Sequence, residues 1–226
     1  DRDVRVVLAT AANAPGIAAT GAWRLFDDRE SVLLRGRPGE SWTLEQRAGQ
    51  LRAIRSDGFT SAWRLAPLVL RTDRDDDQVL FNGKRYRCVL RFLAADDGLN
   101  VMVVNVLGVE QYLRGVVPLE IGGSRSAAEQ AAVQAQAVAA RSYTFVRLSA
   151  AGGTAARHAN YDVMAGTSDQ VYGGVDGERA FADAAVSATA GLVLKYGGRT
   201  VDAPYSAACG GESASADEVW RSGGAA

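Results

Sequence analysis

Glu120 is the residue whose surroundings most suggest chemistry. It closes the apolar run Val116-Val117-Pro118-Leu119-Glu120-Ile121. A carboxyl held among Val116, Val117, Leu119 and Ile121 is poorly solvated, which disfavours its charged form. A carboxylic acid that keeps its proton near neutral pH can give it to a leaving oxygen. That is the acid step in cleavage of a glycosidic bond. Taken alone, a glutamate after a proline is also the mark of a helix cap or a surface position.

The elements that must position it read as two parts. Residues 1–104 are mostly strand. Val4–Leu8, Trp23–Phe26, Ser31–Leu34 and Ser41–Leu44 are short apolar runs broken by Asp, Gly and Pro. Residues Arg85–Phe92 alternate polar and apolar, as a half-buried strand does. Asp96-Asp97-Gly98 then turns the chain into a second strand, Leu99–Val106.

From residue 105 helices enter. The spacing predicts a short helix over Gly108–Val116 that carries Tyr112 and Leu113 inward. Ser126 and Glu129 have the spacing of a capping box. The alanine-rich helix it starts runs to about Leu148, and Gln136, Ala140 and Tyr143 share one of its faces. Tyr161–Val163 and Gln170–Tyr172 are short extended pieces. Gly177–Ala190 reads as another helix, and Leu192–Tyr196 with Thr200–Tyr205 as a hairpin around Gly197-Gly198. The expected fold is therefore α+β, a β-rich N-terminal part (1–104) packed with an α+β catalytic part (105–226).

Composition narrows the function. The chain has 226 residues, 47% of them hydrophobic, which suffices for one large domain or two small ones. A formal net charge of −1 gives no support to a nucleic-acid partner. No run is long and apolar enough to cross a membrane. The acidic stretch Asp73–Asp77 fails the EF-hand template, with Gln78 where glycine is needed and Lys84 where the bidentate Glu belongs. Cys88 and Cys209 are the two cysteines. They either bridge or sit apart as small buried residues.

Several motifs follow one another in a fixed order. Tyr112-Leu113-Arg114-Gly115-Val116-Val117-Pro118-Leu119-Glu120 precedes the stretch Gln134–Tyr143, which reads Gln-Ala-Gln-Ala-Val-Ala-Ala-Arg-Ser-Tyr. Tyr161-Asp162-Val163, Asp169–Gly174 (Asp-Gln-Val-Tyr-Gly-Gly), Tyr205–Ser213 and Glu218-Val219-Trp220 come after it. Over about residues 101–220 this series resembles the SpoIID/LytB family, whose sporulation members are lytic transglycosylases of bacterial peptidoglycan.

The resemblance implies that Glu120 is the catalytic acid. A lytic transglycosylase needs one carboxyl and no water, because the 6-hydroxyl of N-acetylmuramic acid attacks its own anomeric carbon. Hydrolysis needs a second carboxylate; Glu110, Asp162 and Asp169 are the weak candidates. Arg141 matches the family's Ala-Arg-Ser/Thr-Tyr position. A close arginine would hold Glu120 ionised, so Arg141 is expected to orient substrate or neighbouring loops, with a structural ion pair as the alternative. Gln136, Tyr143, Gln170, Tyr172, Tyr205 and Ser206 are the candidate groove residues, since planar amides, hydroxyls and aromatic faces bind sugars. Trp220 is either a sugar platform or a core aromatic, and Gly210-Gly211 permits a tight turn.

The resemblance further implies export to the cell envelope, glycan strands stripped of stem peptides as substrate, and a cell-wall amidase as partner. Its rival reading is a non-catalytic amidase enhancer or glycan-binding module. Two stretches depart from the family. Some members carry a Cys/His zinc cluster before the Gln-Val-Tyr, whereas Met164–Asp169 here has neither residue and His158 stands without partners; no metal and no cofactor is expected. Gly122-Gly123-Ser124 follows the glutamate where relatives often carry an aromatic and a proline.

Overall fold

In a computed structural model of the chain, the residues described are 2–149, 159–206, 211, 212 and 215. The N-terminal strands are β1 (Asp3–Ala12), β2 (Gly16–Ala19), β3 (Trp23–Phe26), β4 (Val32–Gly36), β5 (Trp42–Arg47), β6 (Gln50–Arg55), β7 (Arg64–Leu65) and β8 (Leu68–Thr72). They continue through β9 (Val79–Phe81), β10 (Lys84–Tyr86), β11 (Val89–Ala94) and β12 (Val101–Gly108). Then come α1 (Val109–Ile121), a 3-10 turn (Ala127–Glu129), α2 (Gln130–Ser149), β13 (Val163–Met164), a second 3-10 turn (Gly174–Gly177), α3 (Ala180–Ala188), β14 (Lys195–Tyr196) and β15 (Arg199–Thr200).

The chain is α+β, as expected. One sheet runs β13-β1-β12-β11-β8-β3-β4, a second runs β10-β9-β2-β5-β6-β7, and β14-β15 stand apart. Ile17, Leu44 and Leu51 of the second sheet join Val6, Leu25, Leu70 and Phe92 of the first in one core. That core continues without a break into Tyr112, Leu113 and Val116 of α1 and Ala137 of α2. β12 is buried on both faces. Val101, Val103 and Leu107 enter the main core, while Met102 and Val104 join Val7 in a second cluster. This explains its near-continuous apolar run. The division expected at 104/105 falls inside β12, which pairs with both β1 and β11.

The strand expected over Arg85–Phe92 is two strands in two sheets. Cys88 has φ +62°, a left-handed conformation that no pleated strand carries, and the chain changes sheets there. The hairpin at Asp96-Asp97-Gly98 forms as expected, with Asp97 Oδ1 accepting from the amides of Leu99 and Asn100.

α1 begins directly at the end of β12 and buries Val109, Tyr112, Leu113, Val116 and Val117, the spacing of one helical face. It runs past the expected end at Val116. Pro118 cannot donate to the carbonyl four residues back, yet one further turn follows and closes with the Gly122 amide donating to Pro118 O at 3.1 Å. Gly122 sits at φ +68°, a conformation glycine adopts without a Cβ penalty. Ser126 and Glu129 form the expected capping box. The expected helix over 177–190 is α3 preceded by the 3-10 turn, and the expected hairpin is confined to β14 and β15.

Candidate active site

Glu120 lies in the last turn of α1, half-buried rather than sealed. Its Oε1 accepts the backbone amide of Val171 at 2.6 Å. Its Oε2 has no hydrogen-bond partner among the described residues. One edge of the carboxyl is thus fixed, and the other is uncommitted among the described residues.

The segment that supplies this amide is held residue by residue. Asp169 accepts the Tyr143 hydroxyl at 2.7 Å and the Met164 amide at 2.9 Å. Gln170 is completely buried. Its Oε1 lies 3.2 Å from the Tyr112 hydroxyl and 3.0 Å from the Thr144 hydroxyl. Its Nε2 donates to Ala140 O at 3.2 Å and to Tyr205 Oη at 2.9 Å. Tyr172 donates to Asn105 Oδ1 at 2.8 Å and packs its ring against Tyr112 and Tyr86. The Gly173 amide donates to Gly115 O at 3.1 Å. Gly115 lets α1 come this close, since a Cβ there would lie 2.7 Å from the Tyr172 ring and 2.8 Å from Gly174 O.

The expected groove residues therefore divide. Tyr205 belongs to the Glu120 neighbourhood: burial, and then the nearby Glu120 carboxylate, push its phenol well above the usual range. Ser206 follows it and is exposed. Gln136 sits on α2 one turn before Ala140, half-buried, with Nε2 lacking a hydrogen-bond partner among the described residues. Tyr143 is mostly buried and stacked by Arg147 at 3.7 Å. Burial and Asp169 push its phenol up to about 12.

Gln170 and Tyr172 do not line a groove in this structure. All four of Gln170's polar contacts are to protein, and Tyr172 faces the core, where burial drives its phenol far upward. The alternation of this extended segment turns both inward and leaves the Val171 amide toward Glu120.

Arg141 takes the alternative left open for it, a structural ion pair, and not a substrate contact. It is fully buried and makes a two-pronged pair with Glu110, Nε to Oε1 and Nη2 to Oε2, both at 2.8 Å. Its remaining donors reach Leu192 O at 3.1 Å and Val186 O at 3.3 Å. Glu110 also accepts the Gly191 amide. Arg141 thus ties α2 to α1 and to the end of α3, and has no surface left for a substrate. It does not touch Glu120, in keeping with the expectation from electrostatics.

The three carboxylates weighed as a second acid are engaged elsewhere. Glu110 holds Arg141, Asp162 takes Arg5 at 2.7 Å, and Asp169 takes Tyr143. The stretch Met164–Asp169 forms the end of β13 and a turn closed by the Asp169 amide on Gly166 O. Among the described residues no group of His, Cys, Asp and Glu has the arrangement to hold a metal. His158, Cys209, Gly210 and Trp220, and with Cys209 the Cys88–Cys209 alternative, lie outside the described residues; the Cys88 thiol donates to Gln111 Oε1 at 3.0 Å.

Sequence reasoning missed Val171, Thr144 and Asn105. Val171 acts through its backbone, which leaves no trace in residue type. Thr144 and Asn105 lie in apolar surroundings, and a polar residue inside such a run is the signal that a buried partner awaits it.

Residues 97–196 match the family model of the stage II sporulation protein SpoIID, and the chain belongs to the SpoIID/LytB family. Among curated proteins, the chain is 30% identical over 184 residues to the amidase enhancer of Bacillus subtilis, covering 81% of this chain and 24% of that protein. It is 33% identical over 147 residues to an uncharacterized protein of Brachyspira hyodysenteriae, covering 64% of this chain and 37% of that one. The chain thus spans only about a quarter to a third of the length of these relatives. No solved structure matches it.

Proposed function

We propose that this chain is an exported cell-envelope protein and a peptidoglycan lytic transglycosylase, with Glu120 as its single acid and base. The observation that carries the reading is the state of Glu120: one oxygen is fixed by the Val171 amide, the other is uncommitted, and each alternative carboxylate is consumed by a structural partner. Glu120 gives its proton to the glycosidic oxygen as the bond from the N-acetylmuramic anomeric carbon breaks. It then takes the proton of that sugar's 6-hydroxyl as the hydroxyl oxygen bonds to the same carbon. The proton is returned, no water is consumed, and a 1,6-anhydro end results. A hydrolase would need a second carboxyl for water. The substrate on this reading is glycan stripped of stem peptides. Digestion of such strands, with the ends identified by mass, tests it.

A second reading is favoured by the B. subtilis relative, which bears the name amidase enhancer. On that reading the chain binds a cell-wall amidase and changes its rate, and Glu120 is dispensable. An amidase assay with and without the parent and Glu120→Gln chains separates the two.

A further inference from the structure

We propose that Gln170 fixes the direction of the Tyr205 hydroxyl, making Tyr205 the hydrogen-bond donor that faces a sugar oxygen beside Glu120. The inference rests on the glycan reading above and assigns this site a second group that touches substrate.

The direction follows from which atoms can only accept. The carbonyl of Ala140 has no proton to give, so the Gln170 atom 3.2 Å from it must be the amide nitrogen. The amide oxygen therefore faces the hydroxyls of Tyr112 and Thr144. Thr144 Oγ1 also lies 2.9 Å from Ala140 O, but its single proton serves one partner. The direction at Tyr205 is the same whichever of the two takes it, because Ala140 O alone fixes which end of the amide is nitrogen. With both ends of the amide so fixed, its second N–H points at Tyr205 Oη at 2.9 Å. Tyr205 is the acceptor there. Its own proton cannot go back to Gln170 and has no acceptor among the described residues.

The phenol and the Glu120 carboxyl are held by consecutive residues, Gln170 and Val171, and the Glu120 charge acts on the phenol. The uncommitted oxygen of Glu120 and the free proton of Tyr205 form a complementary pair. A sugar hydroxyl accepts from the phenol while donating to the carboxylate. A simple anion fits one half of this pair only, whereas a neutral hydroxyl fits both; on the glycan reading that hydroxyl belongs to a sugar. The phenol gives a hydrogen bond and transfers no proton.

The test uses the full chain carrying tyrosine labelled with carbon-13 at Cζ. The resonance lost in Tyr205→Phe identifies the phenol. In the parent it should titrate above the ordinary phenol value of about 10. In Glu120→Gln it should move down, with Tyr143 the other ionisable group acting on it. No movement in Glu120→Gln overturns the pairing. On denuded strands, Tyr205→Phe should lose cleavage by about 10- to 100-fold, the value of one hydrogen bond to a charged or reacting group, and its pH–rate profile should shift. Gln170→Met, which cannot donate, should release the phenol from its outward direction and lose part of the rate, with the double variant no worse than Tyr205→Phe. A parent-like rate and profile in Tyr205→Phe overturns the proposal. If the parent chain itself does not cleave, the transglycosylase reading fails, and the Tyr205 assignment is decided by the labelled titration.

Discussion

The amide of Val171 donates to Glu120 Oε1 at 2.6 Å, joining the end of α1 to the extended segment that follows β13. The two residues lie in separate stretches of sequence. They meet because Gln170 and Tyr172, on either side of Val171, are both anchored in the core. The position of the candidate acid is thus set by the packing of its neighbours.

Gly115→Ala should loosen this joint. The added methyl group meets the Tyr172 ring and the Gly174 carbonyl well inside contact distance, and the second is backbone that cannot swing away. Overpacking of this kind costs about 1–3 kcal/mol. Denaturant unfolding should show that loss, and glycan cleavage should fall further than stability alone explains. A variant with parental activity would show that the Val171 contact does not matter.

Tyr172→Phe separates core from groove. It strands the carbonyl oxygen of Asn105, a buried residue, and should cost about 1–3 kcal/mol. Strand binding, measured by sedimentation with insoluble glycan below the melting temperature, should be unchanged. Weakened binding in a folded variant would return Tyr172 to the groove.

Glu110→Ala leaves the sealed guanidinium of Arg141 without its counter-charge. Removing one partner of a buried pair costs about 3–5 kcal/mol. A large drop in unfolding free energy is expected. Replacing the pair together, by Glu110→Leu with Arg141→Met, should recover much of it. If the single change is nearly neutral, Arg141 is not held as described.

Asp183, in the first turn of α3, has an oxygen buried without a hydrogen bond among the described residues, and burial pushes its carboxyl upward, with Glu178 adding to the shift. A raised carboxyl binds more protons folded than unfolded, so stability falls as pH rises through that window and stays lower above it. Asp183→Asn should therefore be more stable than the parent near pH 7. The difference should fade below about pH 4, where both forms are neutral. Thermal melts across that range decide it; an equal gain at all pH values would point to packing instead.

Much of the fold was legible because its signals are local. Alternation marked the strands, turn residues marked the β11–β12 hairpin, and Ser126 with Glu129 marked the start of the α2 region. The failures have physical causes. Alternation runs unbroken through Arg87 and Cys88, so nothing in residue type announces the left-handed Cys88 that divides β10 from β11. The helix expected to end at Val116 runs on through Pro118 to Ile121. At the site, Glu120 and Tyr205 stood out as candidates by residue type and order. The partners of Arg141 and Gln170 did not, because Glu110, Thr144 and Ala140 belong to other turns and other helices.

The most direct measurement is digestion of denuded glycan strands by the parent chain and by Glu120→Gln, with products resolved by mass spectrometry. Anhydro-muramic ends from the parent and none from Glu120→Gln are the expected result. Water-added reducing ends, or cleavage that survives the loss of the Glu120 carboxyl, would contradict it.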